Sequence, residues 1–240
     1  MHKLFVLLAF SLFIANCSSV KQVKYPEKTA IIDHANRSTV ALIATMNGKT
    51  HPYCSGVWIS QNHILTASHC AEKFAEHLST ADKTVSPLGL AVEYATQDEV
   101  VGVEQEPLVK HNATVIKLDM PNDLGLIETV GAVPAHEVVV LAKTTPAIGS
   151  TVYATGHPVG LYFTPTSGMV SAYRNQLPYD DRKLHYVQLS MPLWNGYSGC
   201  GIFNEKGELV AIAEAVSKNV PLASFGVPLD IINGFLNPTK

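Results

Sequence analysis

Three short stretches of the chain carry residues suited to nucleophilic chemistry. In NGYSGCGIF (195–203), Ser198 is bracketed by Gly196 and Gly199 and followed by Cys200. A serine hydroxyl is a weak nucleophile until a neighbouring base accepts its proton. The oxyanion it generates needs backbone N–H donors aimed at it. Gly196 lets the chain turn tightly and present its own N–H together with that of Ser198, and Gly199 leaves room behind the hydroxyl. In ILTASHC (64–70), a strand-like run ends on His69, a ring able to act as general base if its partner lies within hydrogen-bond reach. In PNDLGLIET (121–129), Asp123 follows a turn and opens an apolar run, which puts its carboxylate at the inner end of a strand; Asp119, in KLDMP, closes a run instead and is the weaker candidate.

Each stretch has an ordinary explanation: a structural histidine, good turn chemistry in PND, a glycine-rich loop. Together they give His69, Asp123 and Ser198 in the order His, Asp, Ser, each at a strand-to-loop junction, and that combination points to nucleophilic catalysis.

The elements around them read as β. TVALIATM, GVWIS, HILTAS, TVIKL, LGLIETV, EVVVLA, TVYATG, GMVSAYR, HYVQLSM, CGIFN, ELVAIAEAV and SFGVPL are strand candidates punctuated by Gly, Pro, Asn and Asp. Runs at this spacing predict sandwiches or barrels rather than βαβ units. NEKGEL (204–209) predicts a hairpin turn. Helical pattern is confined to HCAEKFAEHL (69–78) and PLDIINGFLN (228–237). Two prolines within 133–150 mark a soft boundary, which divides the chain into β-rich units over 30–138 and 139–240.

The 240 residues are 47% apolar and 15% charged with a formal net charge of −3, an ordinary globular composition with no basic cluster that would call for nucleic acid. Residues 1–17 differ: His2 and Lys3 precede an apolar run, Leu4–Ala15, too short for a permanent membrane span. This predicts a signal peptide and export. FIANC resembles a bacterial lipobox, which makes Cys17 a lipidation candidate and a membrane tether, with plain signal cleavage as the alternative; Asn16 departs from the usual small residue there. Residues 18–29 read as a polar tether. Cys54 and Cys70 are free to form a disulfide in an exported protein, and Cys200 reads as a small buried side chain.

LTASHC, NDLGLIE and GYSGCGIFNEKGELVAI resemble the chymotrypsin-like (trypsin-like) serine peptidases, over about residues 36–236. The resemblance implies an all-β fold of two antiparallel six-stranded β-barrels with a short C-terminal helix. His69 and Asp123 would come from the first barrel and Ser198 from the second, and Cys54–Cys70 would form that family's disulfide beside its histidine. It also implies an oxyanion hole of the Gly196 and Ser198 amides. ATGHPVGLYFTPTSGMVSAYR and SFGVPLDIINGF are similar to the bacterial HtrA-like branch, here expected as the bare peptidase part without a PDZ domain. Tyr197 stands where the digestive enzymes carry an acid, so their N-terminal ion pair is not expected.

By the same resemblance Glu214, Ala215 and Val216 lie along the strand that pairs with substrate and Pro192 near the base of the side-chain pocket, which favours a small or medium apolar residue. His157, in GHPVG, corresponds to a loop position and not to a site for acidic side chains. The remaining histidines lack paired spacing for a metal site. The expectation is thus an exported serine endopeptidase of the periplasm or cell envelope, acting on polypeptides through an acyl-enzyme, with no cofactor, metal or nucleic acid. The alternative is a peptide-binding module on the same fold.

Overall fold

A computed structural model of the protein describes residues 27–46, 49–72, 90–94, 109–134, 136–177, 185–216 and 223–237. The expected leader, Cys17 and the expected tether up to residue 26 lie outside them, as does the part of the expected 69–78 helix beyond residue 72.

The chain opens with α1 (Glu27–Ser38), which leads straight into β1 (Thr39–Met46) and β2 (Lys49–Trp58). Then come β3 (His63–Thr66), a helical turn α2 over 68–72, β4 (Leu90–Tyr94), β5 (Val109–Asp119) and β6 (Leu124–Thr129). Antiparallel pairing in the order β1-β2-β3-β6-β5-β4, with β4 returning to β1, closes a six-stranded barrel. A second barrel closes in the order β10-β11-β12-β9-β8-β7 from β7 (Thr151–Gly156), β8 (Thr164–Arg174), β9 (Tyr186–Ser190), β10 (Gly201–Phe203), β11 (Leu209–Val216) and β12 (Ser224–Pro228). α3 (Leu229–Leu236) ends the described chain. The all-β architecture of two six-stranded barrels with a C-terminal helix matches the expectation. Closure removes sheet edges, and bulges at Leu42/Ile43, Val115/Lys117, Val170/Ala172, Ile202/Phe203 and Ala213/Ala215 supply the curvature it requires.

Two local expectations fail, and one barrel strand is not among the candidates. EVVVLA (137–142) is not a barrel strand. It runs between the barrels and bonds to both: Val139 N donates to the Trp58 carbonyl, Ala142 N to that of Leu209, and Leu209 N to that of Val140. An apolar run buried from two sides has the same composition as a strand without being part of a ladder. The strand that completes the first barrel is instead LAVEY, β4. The expected start of the barrel at residue 30 falls inside α1, whose apolar positions Ile31 and Ala35 are spaced i, i+4. Its last carbonyls are met by side chains: Ser38 Oγ donates to the carbonyls of His34 (2.8 Å) and Ala35 (3.3 Å), and Thr39 Oγ1 to that of Ala35 (2.6 Å).

Each barrel has its own apolar interior, one around Leu42, Trp58, Ile64 and Ile127, the other around Val152, Val170, Leu189, Ile202 and Ala211. A third cluster joins them, with Val57, Leu65 and Leu124 from the first barrel, Phe203, Ile212 and Val227 from the second, Val139 from the connector and Ile232 and Phe235 from α3. The terminal helices are crossed: α1 precedes the first barrel yet sets His34 against Phe203 of the second, and α3 follows the second yet receives Lys117 of the first. The Lys117 ammonium donates to the Phe235 carbonyl and lies 4.3 Å from the Phe235 ring centroid. Because Ile232 is fully buried in this shared cluster, Ile232→Ala is expected to cost about 2–5 kcal/mol in urea denaturation. Asn233→Ala, on the exposed face of the same helix, is expected to stay within about 0.5 kcal/mol.

Candidate active site

The turn before β6 is built on Asp119, whose carboxylate accepts from Asn122 N (3.2 Å) and Asn122 Nδ2 (2.8 Å). Asp123 follows with φ 53°, a left-handed conformation that aspartate tolerates, and its side chain is buried at 4% exposure. The buried carboxylate is satisfied by three donors: Oδ1 accepts from Ser68 Oγ (2.8 Å) and His69 N (2.9 Å), and Oδ2 from His69 Nδ1 (2.8 Å). A carboxylate only accepts, so the neutral His69 ring carries its proton on Nδ1 and leaves Nε2 as a base. Ser68 was not singled out in the sequence, although it immediately precedes His69. Asp119 serves the turn and Asp123 serves the histidine.

His69 lies beside the disulfide Cys54–Cys70, whose Cα atoms are 6.1 Å apart. The disulfide also reaches the second barrel: Cys70 Sγ lies 3.6 Å from the Ser198 carbonyl oxygen. Ser198 sits in the turn before β10, with its hydroxyl donating to the Glu214 carbonyl at 3.3 Å. Around it the backbone alternates. Tyr197 N donates to the Trp194 carbonyl, Gly199 N to that of Ala213 and Cys200 N to that of Tyr197. Among the described residues, the N–H groups of Gly196 and Ser198 have no partner. Gly196 has φ 106°, and a Cβ there would collide with the His157 carbonyl; Gly199 has φ 83°, and a Cβ there would collide with Thr66 Oγ1 and the Ser55 carbonyl. Both glycines are therefore required by conformation and by close approach.

Ser55 of β2 holds this turn from the first barrel. Its N–H donates to the Ser198 carbonyl at 2.8 Å and its hydroxyl to the Gly196 carbonyl at 2.7 Å, while its own carbonyl accepts from Thr66 Oγ1 at 2.7 Å. From the second barrel, Val159 N donates to the Asn195 carbonyl at 3.0 Å.

A family model described as a trypsin-like peptidase domain matches residues 54–212. The chain belongs to the trypsin-like peptidase family. A probable periplasmic serine endoprotease, DegP-like, from Buchnera aphidicola subsp. Baizongia pistaciae is 29% identical over 196 residues, 79% of this chain and 37% of that one. Serine protease HTR4 of Bos taurus is 32% identical over 161 residues, 63% of this chain and 32% of that one. The crystal structure of Deg5 shares the fold, with a TM-score of 0.67 at 20% identity over 86% of this chain and 90% of that one. The chain spans less than two fifths of the length of the first curated relatives it matches.

Tyr197, which the resemblance sets where the digestive enzymes carry an acid, is buried. Its ring packs beside Gly156 and its hydroxyl donates to the Thr164 carbonyl at 3.0 Å, with burial and the nearby Cys200 pushing its pKa up to about 12. Cys200 is a free, fully buried thiol in the second barrel's interior, and burial drives its pKa upward. Glu214 is the bulge residue of β11, between Ala213 and Ala215, and this bulge aims its carbonyl at Ser198. Ala215 and Val216 pair with Phe225 and Ser224 on one edge. Pro192 is exposed and its carbonyl accepts from Thr166 Oγ1 at 3.2 Å. Cys54, His69 and Cys70 form the one cluster of metal-ligating types among the described residues, but both sulfurs are in the disulfide, so they are not a ligand set.

His157 lies in the loop after β7, the loop position that the resemblance implied. It is fully buried, hydrogen-bonded through Nδ1 to Ser55 Oγ at 2.9 Å and packed edge-on by Tyr162 and Phe163. Burial lowers its pKa from 6.5 to about 3. Unfolding returns the ring to water, where it binds a proton more readily. The stability owed to the neutral ring is therefore complete above about pH 6.5 and is lost as pH falls toward about 3. Urea midpoints measured from about pH 7 to about pH 4.5 are expected to fall more steeply for the wild type than for His157→Asn, by on the order of 1.4 kcal/mol per pH unit; parallel profiles would contradict a neutral buried ring.

Proposed function

We propose that the chain is an exported serine endopeptidase. The observation that carries the reading is the pair of N–H groups without a partner among the described residues, Gly196 and Ser198, in a turn where those of Tyr197, Gly199 and Cys200 are bonded. Unbonded backbone donors are costly in a folded protein, and two of them flanking a serine are what a developing oxyanion requires. The Ser198 hydroxyl, now on the Glu214 carbonyl, turns about χ1 to meet His69 Nε2. Its oxygen attacks the scissile carbonyl as its proton passes to Nε2. The imidazolium is stabilised by Asp123 and then gives that proton to the departing amine as the C–N bond breaks. Water repeats the sequence on the acyl-enzyme and releases the acid.

The substrate is an extended polypeptide. Among the described residues, Ala215 and Val216 of β11 are paired to β12 on one side, and we read their other side as the edge that takes substrate by strand addition. The absence of a charged residue at Pro192 favours a small or medium apolar side chain in the adjoining pocket. Relatives named as periplasmic serine endoproteases support export to the periplasm, with Cys17 as a lipid anchor in the cell envelope.

Ser198→Ala is expected to abolish casein cleavage and fluorophosphonate labelling. His69→Ala is expected to lower kcat/KM by about four orders of magnitude, and the double variant to be no worse than the stronger single one. A wild type that captures peptides but neither cleaves nor labels would instead be a binding module. Mass spectrometry of the mature N-terminus is expected to show a lipidated Cys17, and Cys17→Ala is expected to move the protein from the membrane to the soluble fraction; an unmodified N-terminus at another residue would refute the anchor.

A further inference from the structure

The hydroxyl of Ser55 has one proton, and the Gly196 carbonyl has none to offer. With Ser55 Oγ 2.7 Å from that carbonyl and 2.9 Å from His157 Nδ1, the proton assignment is forced. Ser55 donates to Gly196, so His157 must donate from Nδ1 to Ser55. The ring is thereby held in its Nδ1–H form, and its Nε2 lone pair is buried without a partner. Leaving an acceptor unsatisfied in the interior is unfavourable, so the ring's position there calls for a reason.

The reason lies in what the relay holds. The peptides on either side of Gly196 are both fastened. The Asn195 carbonyl is taken by Val159 N at 3.0 Å, and the Gly196 carbonyl by Ser55 Oγ at 2.7 Å. In a trans peptide the N–H points opposite the carbonyl, so fixing the Asn195 carbonyl sets the direction of Gly196 N–H. Both fastenings come back to one loop, 157–160. Val159 supplies one directly and takes an unusual φ of 46° to do so, while His157 supplies the other through Ser55. The His157 carbonyl also lies against the Gly196 Cα, where any Cβ would collide.

We propose that His157 is a positioning residue for the oxyanion hole: through Ser55 Oγ it anchors the Gly196–Tyr197 peptide, which together with the Asn195–Gly196 peptide fastened by Val159 holds Gly196 between two fixed planes and keeps its N–H presented to the reacting carbonyl. The inference rests on the endopeptidase reading above. It adds a buried imidazole that touches no substrate yet sets the transition-state donors. Asparagine can place an amide N–H where Nδ1 stands, so it is the conservative replacement.

The test compares wild type, His157→Ala, His157→Asn, Ser55→Ala and the Ser55→Ala/His157→Ala double variant on a chromogenic peptide and on a peptide boronic acid, whose tetrahedral adduct occupies the oxyanion donors. His157→Ala is expected to lower kcat by about 10- to 100-fold with KM within about 3-fold, and to weaken boronate binding by a similar factor. His157→Asn is expected to recover most of the loss. The double variant is expected to be no worse than Ser55→Ala alone, since both lie on one relay. Nitrogen-15 NMR of the wild-type ring is expected to report the neutral Nδ1–H tautomer at pH 7, a readout that needs no activity and no variant to fold. An Nε2–H tautomer, an unchanged kcat in His157→Ala, a loss confined to KM, or His157→Asn as poor as alanine overturns the proposal and leaves the endopeptidase reading standing. A wild type that neither turns over nor labels overturns both.

Discussion

One residue of the first barrel grips the turn that carries Ser198 in the second, and the rest of the site depends on that grip. Ser55 commits its N–H to the Ser198 carbonyl and its hydroxyl to the Gly196 carbonyl. A serine on one closed sheet and a histidine–aspartate pair on another meet reproducibly only if the sheets are docked to within a fraction of an ångström. Apolar packing between the barrels brings them together through Val57, Leu65, Phe203 and Ile212, but such packing is non-directional. The hydrogen bonds of Ser55 convert contact into register. The crossed terminal helices reinforce the docking, because α1 and α3 each pack on the barrel to which they are not adjacent in the chain.

The site concentrates features that ordinary folding avoids. A carboxylate is buried at Asp123, two backbone N–H groups go without partners, the imidazole of His157 hides an unsatisfied nitrogen, and Val159 holds a left-handed backbone despite its branched side chain. Each is unfavourable locally. They persist because the surroundings over-determine them. Asp123 has three donors, Ser55 holds the carbonyls of Gly196 and Ser198, and the disulfide ties α2 to β2. Under the proposed function, the two unmatched N–H groups, those of Gly196 and Ser198, are the donors a tetrahedral oxyanion would use.

Much of this was legible before any coordinates. Period-two apolar runs at regular spacing predicted barrels or sandwiches, and nine-tenths of the strand candidates lie in strands because alternation directly reflects a half-buried sheet. The exchange of EVVVLA for LAVEY has one cause: an apolar run records burial but not what buries it. The 137–142 segment is buried between two barrels and bonds to both, whereas β4 finds its partners in β1 and β5. α1 escaped notice because only Ile31 and Ala35 mark its buried face, too few to show a period. Asp123 opens an apolar run and Asp119 closes one, and of the two carboxylates it is that of Asp123 that bonds to His69, while that of Asp119 bonds to Asn122.

By itself, the sequence determined the residue types and their order: an imidazole, a carboxylate and a hydroxyl, each at the edge of an apolar run, with glycines where the backbone had to turn. Those properties are local, and local chemistry is written in neighbouring residues. Only the tertiary structure decided the partners across the interface. Ser55 lies far from Gly196 in the chain and His157 far from Ser55, and nothing within the windows CSG or GHPVG encodes that they converge on one peptide. A hydrogen bond between residues separated by a hundred positions depends on how two closed sheets dock, and docking is a property of surfaces that no single stretch of sequence contains.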